Sequence, residues 1–340
     1  MTTLWDTTGT DVVKALAAER RAAGAVTSGL ALTLVVVVDE KRVAEAEEAA
    51  TQAASMHPFR LLVVVRRALE AESRLDAEVL VGGRLGPGEA VVMRMYGRLT
   101  LHAESVALPL FAPDTPVVTW WHGVPPEKIA FDPLGVYADR RITDCAQAED
   151  PIAALQARAE DYAPGDTDLA WTRTTGWRSL LAAAMDPMQG ETRRVSVSAE
   201  QGNASAALLS GWLGRRLDVK VAQRASNGPG ITGVKVGMSG VEEVSLSRKD
   251  GRNATLHGAG TVDRTLPLPR RELGDLLAEE LRRLTRDEPY ASALEAATGQ
   301  ANLNDRPGKR EHIWVDPADQ RPGEEPALIP PAGPERKNGS

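Results

Sequence analysis

Two short apolar runs, separated by a single helix, constrain this chain's fold more than any other feature. Leu30–Val38 is apolar and β-branched on both faces except for Thr33, and Phe59–Val65 repeats the pattern. A strand apolar on both faces belongs in a sheet covered on both sides. Between the runs, Lys41–Met56 is rich in Ala and Glu, with Val43, Ala46, Ala50 and Ala53 on one stripe, so it reads as a helix. His57-Pro58 ends it, because proline disfavours helical geometry in the residue before it. Strand, helix and strand form a βαβ unit with a right-handed crossover.

The rest of the chain extends this plan. A first helix carries Val12, Val13, Leu16 and Ala17, with Thr10 or Asp11 as its cap and Gly24 as its stop. Leu75–Val81 and Glu89–Tyr96 flank the glycine-rich stretch Gly82–Gly88, a hairpin pattern. Leu101–Leu108 is a short helix, Thr115–Trp121 an apolar strand and Arg140–Asp144 a short one. Ile152–Asp161 is helical, Ala163-Pro164-Gly165-Asp166 is a break, and Thr172–Met185 resumes a helix. The second half repeats the order. Strand Arg193–Ser198, helix Asn203–Leu217 and strand Val219–Arg224 precede alternating strands at Ile231–Met238, Val241–Arg248, Asn253–His257 and Arg264–Leu268. Glu272–Leu284 is an amphipathic helix and Tyr290–Ala297 a final short one.

The expected architecture is α/β, in two domains at residues 1–165 and 166–300. Each is a mixed sheet with a βαβ unit plus antiparallel strands, covered by helices. Residues 301–340 form an expected disordered tail, since Pro307, Pro317, Pro322 and four later prolines punctuate a polar stretch that cannot bury enough apolar surface. Within it, His312-Ile313-Trp314-Val315 is either a docking motif or the point where the tail lies back on its own domain.

Composition narrows the function. Forty Lys and Arg against 47 Asp and Glu give a net charge of −7, which argues against nucleic acid or an anionic membrane as partner. No run reaches the ~20 apolar residues of a membrane helix. The N-terminus MTTLWDTTGTDVVK lacks a signal-peptide pattern, so the expected location is cytoplasmic. Cys145 is the single cysteine, which excludes an internal disulfide and any multi-cysteine metal site. No P-loop, G-x-S-x-G elbow or H-E-x-x-H is present, so no catalytic, cofactor or metal residues are assigned. Gly228-Pro229-Gly230-Ile231-Thr232-Gly233 spells G-x-G-x-x-G, but the alternating Val234-Lys235-Val236 follows it where a nucleotide loop needs a helix; it reads as a hairpin connection.

Seven Trp against three Phe is an unusual ratio, and two of the seven are adjacent at a strand end, in Val117-Val118-Thr119-Trp120-Trp121-His122. Neighbouring residues on a strand point to opposite faces. Either both rings are sandwiched between layers, or one meets a partner. The candidate partner-binding residues are Trp120, Trp121 and His122, with Trp120 expected in the core and Trp121 or His122 at the partner.

The strand ending in Trp120-Trp121, the run Arg140-Arg141-Ile142-Thr143-Asp144 and the helix segment Ser205-Ala206-Ala207-Leu208-Leu209-Ser210-Gly211-Trp212-Leu213 together resemble the OpcA family of glucose-6-phosphate dehydrogenase assembly proteins. Val244–Arg248, Ala254–Leu256 and Leu277–Leu284 continue the likeness in order across roughly residues 1–298. The resemblance implies a non-catalytic cytoplasmic partner that binds glucose-6-phosphate dehydrogenase and favours its active oligomer, supporting the oxidative pentose phosphate pathway and NADPH supply. The redox control of photosynthetic relatives, which runs through cysteines, does not carry over to a chain with Cys145 alone. The alternative is a sugar-phosphate or nucleotide-binding α/β enzyme, suggested by the G-x-G-x-x-G string and the βαβ units.

Overall fold

The computed structural model describes residues 1–24, 29–54, 58–82, 88–186, 190–240, 243–258 and 261–314. Met56, His57, residues 83–87 of the glycine-rich connection, Val241, Val315 and the rest of the expected tail lie outside the described residues.

In chain order the first part comprises β1 (Thr2–Leu4), α1 (Gly9–Ala22), β2 (Thr33–Val38), α2 (Val43–Ala54), β3 (Arg60–Arg66), β4 (Arg74–Val81), β5 (Glu89–Tyr96), α3 (Ala103–Ala107), β6 (Val117–His122), α4 (Pro133–Val136), β7 (Arg140–Thr143), α5 (Pro151–Glu160) and β8 (Asp166–Asp168). The eight strands form one sheet in the order β1-β4-β5-β3-β2-β6-β7-β8. From β5 to β8 all neighbours are parallel, while β4 runs antiparallel to β5 and β1 to β4. Counted along the chain, the parallel strands stand third, second, first, fourth, fifth and sixth. This is the doubly wound order, with its switch point between β2 and β6. The βαβ unit read from residues 30–65 is β2–α2–β3.

Alternation sorts each strand onto two cores. Leu34, Val36, Leu61, Val63, Val118 and Trp120 face α2, whereas Val35, Leu62, Val64, Val91 and Met93 face α1 and α3. Helix α1 starts at Gly9, and its cap is Thr8 rather than Thr10 or Asp11. Thr8 Oγ1 accepts the Asp11 N–H at 3.3 Å and donates to the Asp11 carboxylate at 2.8 Å. This reciprocal pair places Asp11 at the third helical position, where its charge also suits the helix dipole.

The second part comprises α6 (Leu169–Thr172), α7 (Thr175–Met185), β9 (Thr192–Ala199), α8 (Ala204–Leu217), β10 (Val221–Ala225), β11 (Ile231–Met238), β12 (Val244–Ser247), β13 (Asn253–Gly258), β14 (Thr261–Pro267), α9 (Leu273–Arg282) and α10 (Glu288–Thr298). Six strands form a sheet in the order β10-β9-β11-β12-β13-β14; β10 is parallel to β9 and the other neighbours are antiparallel. One face packs Val195, Val197, Val234 and Leu246 against Leu209 and Leu213 of α8 and Trp177 of α7. On the other face Lys235, Thr255 and His257 are exposed.

The two parts share their interior. β8, just past the boundary expected at residue 165, pairs with β7 in the first sheet. Helix α9 leaves the second sheet and lies on α2, adding Leu276, Leu277 and Leu281 to the first sheet's core. Beneath it the guanidinium of Arg140 meets the carboxylate of Glu280, both buried, and Thr172 Oγ1 donates to Glu280 Oε1 at 2.6 Å. Helices α5, α8 and α10 enclose a third core around Trp171, Tyr162 and Tyr290. No helix among the described residues is long and apolar enough to cross a membrane.

The segment from Asn302 to Trp314 departs from the expected disordered tail. Leu303 is fully buried. Arg306 Nη1 donates to the Ala159 and Glu160 carbonyls at the end of α5, both at 2.9 Å. Arg310 grips Asp166 with two nitrogens, at 2.9 and 2.6 Å, and Ile313 N–H donates to the Ala130 carbonyl at 2.9 Å. Trp314 stacks on His102 with ring centroids 5.0 Å apart. The composition is polar, but two guanidiniums that reach backbone carbonyls and the half-buried Asp166 carboxylate replace the missing apolar burial. Burial opposes the charge on Asp166, yet Arg141 and Arg310 hold its carboxyl below the ordinary range.

Three outcomes follow from this packing. Truncation after Gln300 should lower stability by about 2–4 kcal/mol, whereas truncation after Trp314 leaves the melting temperature nearly unchanged. Because the Asp166 carboxyl titrates below its ordinary value, this contribution is full above the usual carboxylate range. That part fades as pH falls through the depressed value, so the gap between the melting curves of the two truncations should narrow in acid, leaving the share of Leu303 and Arg306. Gly135 in α4 has no room for a side chain, since a Cβ there would stand 2.5 Å from Ile129 and 2.9 Å from the Trp121 ring. Gly135→Ala should cost about 1–3 kcal/mol in denaturant melts, with no change in secondary structure by circular dichroism.

Candidate functional site

Strand β6 brings Trp120, Trp121 and His122 to the carboxyl end of the first sheet, and all three are inside it, at 0–1% exposure. Trp120 lies in the core shared by α2 and α9, and its ring is 4.8 Å from that of His122. Trp121 points to the opposite face, as alternation requires. There its Nε1 donates to Asp132 Oδ2 at 3.2 Å, and its ring lies against Gly135. His122 Nε2 is 3.0 Å from Glu45 Oε2 of α2. Trp121 and His122, expected at a partner, are thus buried in the chain itself. The sheet is covered on both faces, so opposite-pointing neighbours are both core.

The crevice where a doubly wound sheet takes its ligand lies at the β2–α2 turn, beside β6. Such a turn binds phosphate through glycines that let the helix N-terminus approach. Here the turn reads Asp39-Glu40-Lys41-Arg42, which presents two carboxylates to any incoming anion. Four arginines around it are already engaged. Arg42 donates to Gln147 at 2.8 Å, and Arg67 and Arg94 pair with Glu40 at 3.4 and 3.2 Å. Arg66 pairs with Asp132 at 3.0 Å. The G-x-G-x-x-G string is remote from this crevice. It joins β10 to β11, which lie on either side of β9, so it is neither a hairpin nor a nucleotide loop. Ile231, Thr232 and Gly233 are already part of β11.

A second concavity, of about 310 Å³, opens between the two parts. It is lined by the N-terminus of α8 (Asn203, Ser205), by Trp177, and by four arginines, Arg173, Arg248, Arg270 and Arg271. Arg173 grips Asp144 with two nitrogens, at 2.6 and 2.7 Å, and Arg271 pairs with Glu279. Arg248 and Arg270 pair with no carboxylate among the described residues. Arg248 is buried, donates to the Leu268 and Ile231 carbonyls at 3.2 and 3.1 Å, and lies over the Trp177 ring at 5.1 Å. Burial, then the nearby Arg270, push its pKa down to about 10, against a smaller opposing pull from Asp250. Burial likewise raises the Cys145 thiol well above its ordinary value, so this cysteine is a poor nucleophile. Arg248 is absent from the candidates drawn from sequence, although a signal exists: it shares the parity of Val244 and Leu246, the buried face of its strand.

Two family descriptions match the chain in sequence order. The N-terminal domain of a glucose-6-phosphate dehydrogenase subunit matches residues 50–160, and the C-terminal domain of the same family matches residues 164–294. A Synechocystis sp. protein named as a putative OxPP cycle protein OpcA is 32% identical over 121 residues. The match takes in 32% of this chain and 25% of that protein, so the chain spans about a quarter of that relative's length. Among solved structures, a dehydrogenase from Chromobacterium violaceum overlaps at TM-score 0.40 and 12% identity, over 78% of this chain and 92% of that one. An inositol dehydrogenase homologue from Azotobacter vinelandii overlaps at TM-score 0.34 and 10% identity, over 84% and 91%. Overlaps this loose establish neither a shared fold nor a shared activity. The ordered pair of domain matches, with the OpcA relative beside it, places the chain in the OpcA family of glucose-6-phosphate dehydrogenase assembly proteins.

Proposed function

We propose that this chain is a non-catalytic partner of glucose-6-phosphate dehydrogenase that binds the enzyme in the cytosol and favours its active oligomer. In that role it supports the oxidative pentose phosphate pathway and NADPH supply. The observation that carries the reading is the ordered pair of family domains across residues 50–160 and 164–294. The first sheet lends support, because Asp39 and Glu40 occupy the turn that would cradle a dinucleotide. The alternative of a nucleotide-binding enzyme loses its motif, because the G-x-G-x-x-G string runs into a strand.

Such a partner acts by differential binding, shifting an oligomer equilibrium only by as much as it prefers one state. Moving that equilibrium from 1:99 to 99:1 requires about 5.5 kcal/mol of preference. An interface of about 1,600 Å² is of the size that stable complexes use. Both Trp of the pair are buried in the chain by itself, so their variants serve as controls.

Mixing the purified chain with the dehydrogenase at micromolar concentration should change both the enzyme's activity and its sedimentation. No change in either would overturn the proposal. Trp120→Ala and Trp121→Ala should each cost about 3–5 kcal/mol of folding stability, and any loss of activation should track the unfolded fraction. Loss of activation with an unshifted melting curve would return one of them to the interface.

A further inference from the structure

The concavity at the N-terminus of α8 holds two guanidiniums that pair with no carboxylate among the described residues. We propose that it binds the phosphate group of a small phosphate ester, with Arg248, Arg270 and the first turn of α8 as the phosphate cradle. Three independent observations converge on one place. Helix α8 runs for fourteen residues, long enough to present a dipole, and its N-terminus faces the cavity. Asn203 caps one of its open N–H groups, that of Ala206, at 2.8 Å. Ser205, at 5% exposure, lines the same cavity and carries a backbone N–H and a hydroxyl, both donors by type.

Arg248 is the second observation. The residue is 8% exposed, no carboxylate among the described residues pairs with it, and its Nε finds no hydrogen-bond partner there. A buried cation that lacks a counter-ion is costly unless one arrives. The two carbonyls that hold its other nitrogens fix the guanidinium's position but leave its charge standing. Arg270 is the third. It is exposed, donates to the Pro229 carbonyl at 2.8 Å, and adds a second positive charge at the mouth.

The acid that lines the cavity decides between an ester and a bare anion. Glu200 sits at the rim, with Asn203 Nδ2 3.1 Å from its carboxylate. Its carboxylate can accept hydroxyl protons from a polyol whose phosphate meets Arg248, and that added contact favours the ester over the bare anion. The volume suits a ligand of that size better than a dinucleotide.

The test is titration calorimetry of the full chain with glucose 6-phosphate, glucose and inorganic phosphate, in the absence of any dehydrogenase. The result expected is binding of the ester, none of glucose, and weaker binding of inorganic phosphate. Arg248→Gln should abolish the ester's signal, but this variant also loses two structural hydrogen bonds. Arg270→Gln, at an exposed position, keeps the fold and should weaken the ester about tenfold. Absence of heat with millimolar ester, inorganic phosphate binding as tightly as the ester, or unchanged affinity in Arg270→Gln would each overturn the proposal. The chain is titrated alone, so failure here leaves the dehydrogenase reading untouched, and the reverse holds as well.

Discussion

The buried pair of Arg140 and Glu280 governs how the two parts of this molecule fit together. Arg140 stands at the start of β7 and Glu280 on the inner side of α9, 140 residues later in the chain. Such a pair contributes little net stability, because removing two charges from water offsets most of their attraction. Breaking it is a different matter, since one charge is then left buried and alone, at about 3–5 kcal/mol. The pair therefore acts as a register lock. Only one placement of α9 brings Glu280 to Arg140 and to the Thr172 hydroxyl, and the same placement sets Leu276, Leu277 and Leu281 on the Ala-rich face of α2. The small side chains of α2, Ala46, Ala50 and Ala53, let the two helices approach closely. The first sheet's core is thus completed by a helix from the far end of the chain.

With the parts locked, positive charge divides between two places. At the carboxyl end of the parallel strands, Arg42, Arg66, Arg67 and Arg94 are consumed by partners on neighbouring loops. At the crevice where doubly wound sheets take a nucleotide, these four arginines are therefore engaged within the protein. At the seam between the parts the balance is reversed, because Arg248 and Arg270 outnumber the acids that reach them.

Much of the framework is legible in the sequence because it depends on local pattern. The β2–α2–β3 unit follows from two runs apolar on both faces, and the β4–β5 pairing from strands that flank a glycine-rich connection. The helix cap is harder to place, since Thr8, Thr10 and Asp11 all qualify by type and only the contact between Thr8 and Asp11 selects one. The stretch from Asn302 to Trp314 defeats a reading by composition for a clearer reason. Its residues are those of a disordered tail, and what orders it is a pair of arginines meeting groups some 140 residues earlier in the chain. Parity correctly sends Trp120 and Trp121 to opposite faces, but it cannot say how many layers cover a sheet.

By itself the sequence determined the element types, the alternation that builds each sheet face, the limits set by one cysteine and a modest negative charge, and the likeness that marks the family. These are set by residue-to-residue periodicity and by composition, both of which act within a few turns or strands. Tertiary structure alone decided that α9 would cover the first sheet, that the tail's first residues would dock, that the Trp pair would be sealed, and that Arg248 would be buried without a paired carboxylate. Each of those outcomes depends on which distant groups share a volume from which water is excluded, and the free energy of a charge or an aromatic ring is set there.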